Sequence, residues 1–250
     1  MPDWGGKAAL RETVGGFSIS TRPMRKAIVY IDGYNLYYSR LRGTPYKWLD
    51  LVALFKEHIL RAQIPDADLV KVKFFTAPAL AKFASHGLDS VTSQNAYHRA
   101  LLARYPGMVE IISGYHTHGR ARLMAFKEPP DRCGNHDVWL IEEKQTDVNL
   151  AMALYRDVAQ GATDVVVVCS NDTDMEPALA AVQMDFPACE RGFVAPLSPP
   201  AEKNYRYPNR GLMALADWTR HYIRDEELAL AQLPNVVPTR KKAVRRPVYW

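Results

Sequence analysis

Cysteine is scarce in this chain: Cys133, Cys169 and Cys189 are the only three among 250 residues. So few and so scattered, they exclude a disulfide framework. Cys169 lies inside a run of valines and reads as a small core residue. No stretch approaches the ~18 apolar residues of a membrane span. Residues 1–25 contain no apolar signal core. These absences predict a protein of the reducing cytoplasm with no membrane partner. The sequence also lacks a Gly-x-Gly-x-x-Gly fingerprint, so no turn matches the one that seats a flavin or nicotinamide dinucleotide. It has no internal repeat, no catalytic thiol and no Ser-His-Asp pattern.

What is present reads as one sizeable core with tails. Hydrophobic residues make up 48% and charged residues 24%, ordinary for a globular protein. The net charge of +5 mildly favours an anionic partner. Asp164-Val-Val-Val-Val-Cys-Ser-Asn-Asp-Thr-Asp174 is the most informative run. Four valines without polar alternation predict a strand buried on both faces, as in the centre of a parallel sheet.

Around it the patterns alternate. Strands are predicted at Lys26–Ile31, Leu69–Thr76, Met108–Tyr115 and Gly192–Ala195. Helices are predicted at Leu49–Ile59, from Thr92 to Tyr105, from Asp147 to Gln160 with Gly161 as the stop, at Met175–Met184 and at Gly211–Leu230. Arg120–Lys127 and Val138–Glu142 suit a hairpin around a turn-rich Pro129–Asn135. Alternating strands and helices predict an α/β fold with a mostly parallel central sheet. The expected organisation is a flexible segment over 1–25, a domain over 26–222, and a helix end with a basic tail over 223–250. The tail, Arg240–Arg246, is expected to be disordered.

Acidic residues recur where elements end. Asp172 and Asp174 follow the valine strand, the place where open α/β sheets keep their sites. One of them suffices to cap the next helix. Two crowded carboxylates repel unless a cation or proton lies between them. Asp32 and Asn35 follow the first strand in Ile31-Asp-Gly-Tyr-Asn35, where Asp-Gly is also ordinary turn chemistry. Asp147, Ala151, Leu154 and Val158 share one helix face, so Asp147 continues a buried stripe. A satisfied first-turn Asp favoured by the helix dipole explains Asp147 equally well. Oxygen-only ligands of this kind suit Mg²⁺ or Mn²⁺.

Ile31-Asp-Gly-Tyr-Asn35, Glu143-Lys-Gln-Thr-Asp-Val-Asn-Leu-Ala151 and Val168-Cys-Ser-Asn-Asp-Thr-Asp174 resemble, in order and spacing, the motifs of the NYN family of PIN-like nucleases. The resemblance runs from about Lys26 to Asp217. It departs where members often carry Gly before the first Asp and an aromatic after the second; Asn171 and Met175 stand there. It implies a Rossmann-like three-layer sandwich with Asp32, Asp147, Asp172 and Asp174 converging on one Mg²⁺ or Mn²⁺ site, supported by Asn35. It further implies metal-assisted hydrolysis of phosphodiester bonds, most readily in RNA, with single-stranded DNA as a second substrate. Asn171 and Thr173 would face the substrate. Lys203, Tyr205, Arg206 and Arg210, where basic and aromatic residues alternate, would line its groove. A solvated loop explains that stretch as well. Two alternatives stand beside this: a nucleic-acid-binding module with little activity, and a small-molecule enzyme on the same fold, since some NYN-type proteins carry the label of pyridine-compound hydroxylases. His116, His118, Cys133 and His136 are zinc-ligand types at non-standard spacing, and polar loop roles fit them better. Oligomeric state is not encoded in any pattern of the chain.

Overall fold

Val165–Cys169 does form the central strand, and every residue in it is buried. In the computed structural model, which describes residues 24–200 and 206–250, it is β6. Its neighbours are β1 (Arg25–Asp32) and β7 (Glu190–Val194); outward from these lie β2 (Ala67–Thr76), β3 (Val109–Ser113) and β8 (Trp218–Arg220). The order is β3-β2-β1-β6-β7-β8, and every adjacent pair is parallel. The chain is thus an α/β protein whose layers form a Rossmann-like three-layer sandwich.

The layering follows from strand periodicity. Ala27, Val29 and Ile31 of β1 face one core, shared with Val165, Val167 and Cys169 of β6. Ile28 and Tyr30 face the other, with Val166 and Val168. The first core is covered by α2 (Leu51–Ala53), its π-helical continuation Leu54–Leu60 and α4 (Leu88–Arg104), while α3 (Arg61–Gln63) extends the continuation and buries no residue. The second is covered by α5 (Thr146–Ala159), α6 (Glu176–Asp185) and α7 (Arg210–Leu215). Gly161 ends α5 with φ +65°, the left-handed conformation that glycine adopts freely. Asp157 of α5 bridges two strands on that side: it accepts a 2.7 Å hydrogen bond from the Tyr30 hydroxyl and pairs with Lys73 of β2 at 2.7 Å.

Three parts differ from expectation. Gly211–Leu230 is not one helix; Trp218–Arg220 interrupts it as edge strand β8, and the second piece is α8 (Asp225–Leu230). Gly192 of β7 makes the room, since a Cβ there would lie 2.1 Å from the Trp218 ring. The hairpin is longer than expected, with β4 (Tyr115–Met124) paired antiparallel to β5 (Asn135–Lys144). Finally, Arg240–Arg246 is not a disordered tail. Val244 is buried in the first core and pairs, in β10 (Val244–Arg245), with β9 (Val236–Val237). Residues beyond 222 therefore pack onto the domain: Ile223, Leu228, Leu233 and Val237 join the same core. Among the described residues no helix is long and apolar enough to cross a membrane.

Candidate functional site

The C-terminal edge of the sheet gathers the expected acids. Asp32 ends β1 and is buried. Its Oδ1 accepts the Asn35 backbone N–H at 2.9 Å, capping α1 (Gly33–Leu36), and its Oδ2 accepts the Ser170 hydroxyl at 2.9 Å. Asn35 turns its side-chain oxygen to the backbone N–H of Asn171 at 3.1 Å, tying the β1 and β6 ends together. Asp172 caps the following turn through the backbone N–H of Asp174 at 3.1 Å. Asn171 is spent on structure: its side chain bonds the Tyr207 carbonyl at 3.2 Å and the Asn209 backbone N–H at 2.7 Å. Thr173 is exposed. Arg206 reaches the Ser39 hydroxyl at 3.3 Å, Arg210 starts α7, and Lys203 and Tyr205 lie outside the described residues.

Negative charge accumulates here. Burial pushes Asp32 up to about 6, against the lowering by Asn35 and Ser170, and Asp147 and Glu143 push the same way. Burial also raises Asp147, with Asp172 and Asp174 adding repulsion. Glu143 is raised by burial and by Asp147, while Thr146 lowers it. The electrostatic links run from Asp32 to Asp147 and Glu143, and from Asp147 to Asp172 and Asp174, while Ser170 joins Asp32 through its hydroxyl.

A stability effect follows. The folded protein holds the Asp32 proton up to about pH 6, whereas the unfolded chain releases it near 3.8. The contribution is therefore fully present in acid and is lost as pH rises through the folded value. Above it, ionised Asp32 costs on the order of 3 kcal/mol relative to the unfolded chain. Asp32→Asn should raise the urea midpoint at pH 8 and leave it unchanged near pH 4. A variant less stable than the parent at pH 8 would refute this.

Beside the acids lies a cavity of about 510 Å³. Tyr34 and Tyr38 of the α1 segment, Phe74 of β2, Phe83, Tyr97 of α4 and Trp250 give it aromatic walls. Tyr34 packs on Tyr38 at 5.6 Å and on His116 at 5.4 Å between ring centroids. Burial, then the Glu143 charge, raise the Tyr34 hydroxyl, so it stays protonated. His98 stands 6.0 Å from the Phe74 ring, and burial lowers its imidazole to about 4, leaving it neutral at pH 7. No sequence pattern marked this cavity, because its walls come from segments far apart in the chain.

No family model matches the chain. Over 248 residues it is 40% identical to the 6-hydroxy-3-succinoylpyridine 3-monooxygenase HspA of Pseudomonas putida (strain DSM 28022 / S16), covering 93% of this chain and 77% of that protein. The chain belongs to the HspA monooxygenase family. A crystal structure of a protein of unknown function from Vibrio parahaemolyticus aligns with TM-score 0.47 and 15% identity, over 83% of this chain and 98% of that one.

Membership in the HspA family corrects the expected hydrolase. HspA is named an oxygen-inserting enzyme, not a nuclease, so the reading as an RNA-cleaving hydrolase is overturned. The expected Mg²⁺ or Mn²⁺ is corrected with it. Among the described residues no group of three or more His, Cys, Asp or Glu is arranged to hold a metal ion. Both Asp32 oxygens and one Asp172 oxygen accept hydrogen bonds from the protein, which hold these carboxylates in structural caps. The zinc-ligand types do not gather into a cluster among the described residues either. His116 contacts the Pro78 carbonyl, His118 packs on Phe83, Cys133 is exposed, and His136 sits opposite Leu123 in the hairpin.

Proposed function

We propose that this protein oxygenates a small hydroxylated pyridine bound in the aromatic cavity. The observation that carries this is the 40% identity, across most of both chains, to an enzyme named for 3-monooxygenation of 6-hydroxy-3-succinoylpyridine. The cavity supports it: about 510 Å³ falls among the ~300–1,000 Å³ pockets of small-molecule sites. Aromatic walls favour a flat heteroaromatic ring through offset and edge-on contacts.

The residues suit the chemistry of such a ring. Neutral His98 is the general base that takes the proton of the ring hydroxyl. The resulting oxyanion enriches the ring carbon para to it, which in 6-hydroxy-3-succinoylpyridine is C3, and that is what an electrophilic oxygen species needs. The protonated Tyr34 hydroxyl donates a hydrogen bond that orients the ring.

Monooxygenation inserts one atom of dioxygen and reduces the other to water with two electrons from an outside donor. A flavin or nicotinamide dinucleotide does not fit the β1–α1 turn, where doubly wound folds seat a pyrophosphate. Asp32 occupies it, and the surrounding acids repel phosphate. Gly33 gives no approach either, since a Cβ there would lie 2.6 Å from the Phe74 ring and 2.7 Å from the Phe75 carbonyl. The glycine serves packing.

The test is incubation of pure protein with 6-hydroxy-3-succinoylpyridine, reduced nicotinamide nucleotide, added flavin and isotopically labelled dioxygen. Mass spectrometry should find label in the product, with oxygen uptake that requires the pyridine. Absence of labelled product under every donor would refute the reading.

A further inference from the structure

The cavity is polarised along its length. Tyr34 and Tyr38 stand four residues apart on α1 and the π-helical turn Tyr37–Leu41 that continues it, and Arg42 follows directly after that turn. Tyr34 feels the Glu143 charge at one end. Arg42 and Lys47 line the cavity beyond. The Arg42 guanidinium lies 5.5 Å from the Tyr38 ring centroid. Lys47 donates to the Tyr249 carbonyl at 3.0 Å and sits 5.8 Å from that ring's centroid. Among the described residues, no Asp or Glu stands within ion-pair distance of either cation, whereas Arg25 of β1 and Lys73 of β2 are both paired.

A second observation is independent of these charges. The Tyr249 hydroxyl is buried and has no hydrogen-bond partner. Its ring also lines the cavity and stacks on His86 at 4.4 Å with an interplanar angle of 15°, so it is held in place. A buried donor left unmade is expensive. A half-buried ammonium without a carboxylate is also unfavourable; burial, then Arg246, push the Lys47 pKa down.

One ligand group satisfies all three. A carboxylate supplies the missing counter-ion to Lys47 and Arg42 and accepts from the Tyr249 hydroxyl, and charge-assisted hydrogen bonds of that kind are the strong ones. We infer that Lys47, Arg42 and Tyr249 form the carboxylate receptor of the cavity and select an aromatic acid whose ring lies against Tyr34, Phe74 and Tyr97. This rests on the reading of the cavity as the substrate site. It deepens that reading by assigning the acid selectivity to three residues. The substrate then enters in one orientation: acid tail toward Lys47, ring hydroxyl toward Tyr34 and His98.

The experiment is calorimetric titration of the full-length protein with 6-hydroxy-3-succinoylpyridine and with its methyl ester, which keeps the ring and chain but removes the charge. The acid should bind at least about tenfold tighter than the ester, as expected for a desolvated charge pair. Lys47→Met should bring the acid to the level of the ester without weakening the ester. Lys47 also holds the Tyr249 carbonyl, so thermal melts accompany each variant. Arg42→Gln, an exposed residue, is the second variant and should reduce the preference at least threefold on its own. Equal binding of acid and ester by the parent, no binding of either, or an intact preference in a folded Lys47→Met protein would each overturn the assignment. The two readings fail separately. A protein that prefers the acid but oxygenates nothing keeps the receptor and loses the reaction. One that oxygenates acid and ester with equal KM keeps the reaction and loses the receptor.

Discussion

Replacing His98 with Gln should lower turnover of 6-hydroxy-3-succinoylpyridine by about 10²- to 10⁴-fold, the range for a lost general base. Gln keeps much of the shape and a hydrogen-bonding end, so KM and melting temperature should change little. The pH profile separates His98 from its nearest rival. Burial lowers His98 to about 4, so the base is available at higher pH and is lost only as pH falls through that value. The acid limb of kcat/KM should therefore lie near 4. Asp32, raised to about 6, would place the limb near 6 if it were the base. A limb near 6 that persists in His98→Gln, with turnover intact, would transfer the role to Asp32.

Lys73→Met should destabilise the fold by about 3–4 kcal/mol, because removing one partner of a buried pair strands the other charge. Lys73 and Asp157 each retain only 12% of their side-chain exposure, and they meet at 2.7 Å between β2 and α5. The Tyr30 hydroxyl alone would then hold Asp157. Urea unfolding of the variant should show the loss. Adding Asp157→Asn should recover much of it, since the double variant strands no charge. A single variant within about 1 kcal/mol of the parent would show that the pair contributes little, as exposed ion pairs do.

The sheet was legible because burial on both faces leaves a mark in sequence. β1 and β6 carry uninterrupted apolar runs, β2 alternates apolar residues with lysines from Val70 to Phe74, and the segments between them carry helical spacing. β8 left no such mark. Trp218, Thr219 and Arg220 are too short a run for any period, and their pairing depends on the space at Gly192. The C-terminal residues misled through their charge: Arg240–Arg246 looks solvated, yet Val244 anchors it in the core and Arg246 donates to the Pro45 carbonyl at 2.7 Å.

At the site, placement was legible and chemistry was not. Asp32, Asp147, Asp172 and Asp174 stand at element ends, and those places followed from the strand and helix pattern. Whether carboxylates bind an ion depends on how closely and in what orientation they face one another. Ser170 and the Asn35 backbone N–H set the orientation of Asp32, and neither contact has a sequence signature. The aromatic cavity was invisible for a different reason. Tyr34, Phe83, His98 and Tyr249 are unremarkable one by one and meet only in three dimensions.

The position of β1 between β2 and β6 also shapes how the chain comes together. β1, β2 and β3 are near in sequence and can pair early. The other edge of β1 waits for a partner 138 residues later, as the contact between Lys26 and Asp164 measures. Loop closure over that distance is slow compared with local pairing. During synthesis Ala27 to Ile31 therefore present a bare apolar edge until the valine strand leaves the ribosome, and such an edge is a template for pairing with another nascent chain. Cellular yield should be limited by that interval rather than by the stability of the finished fold.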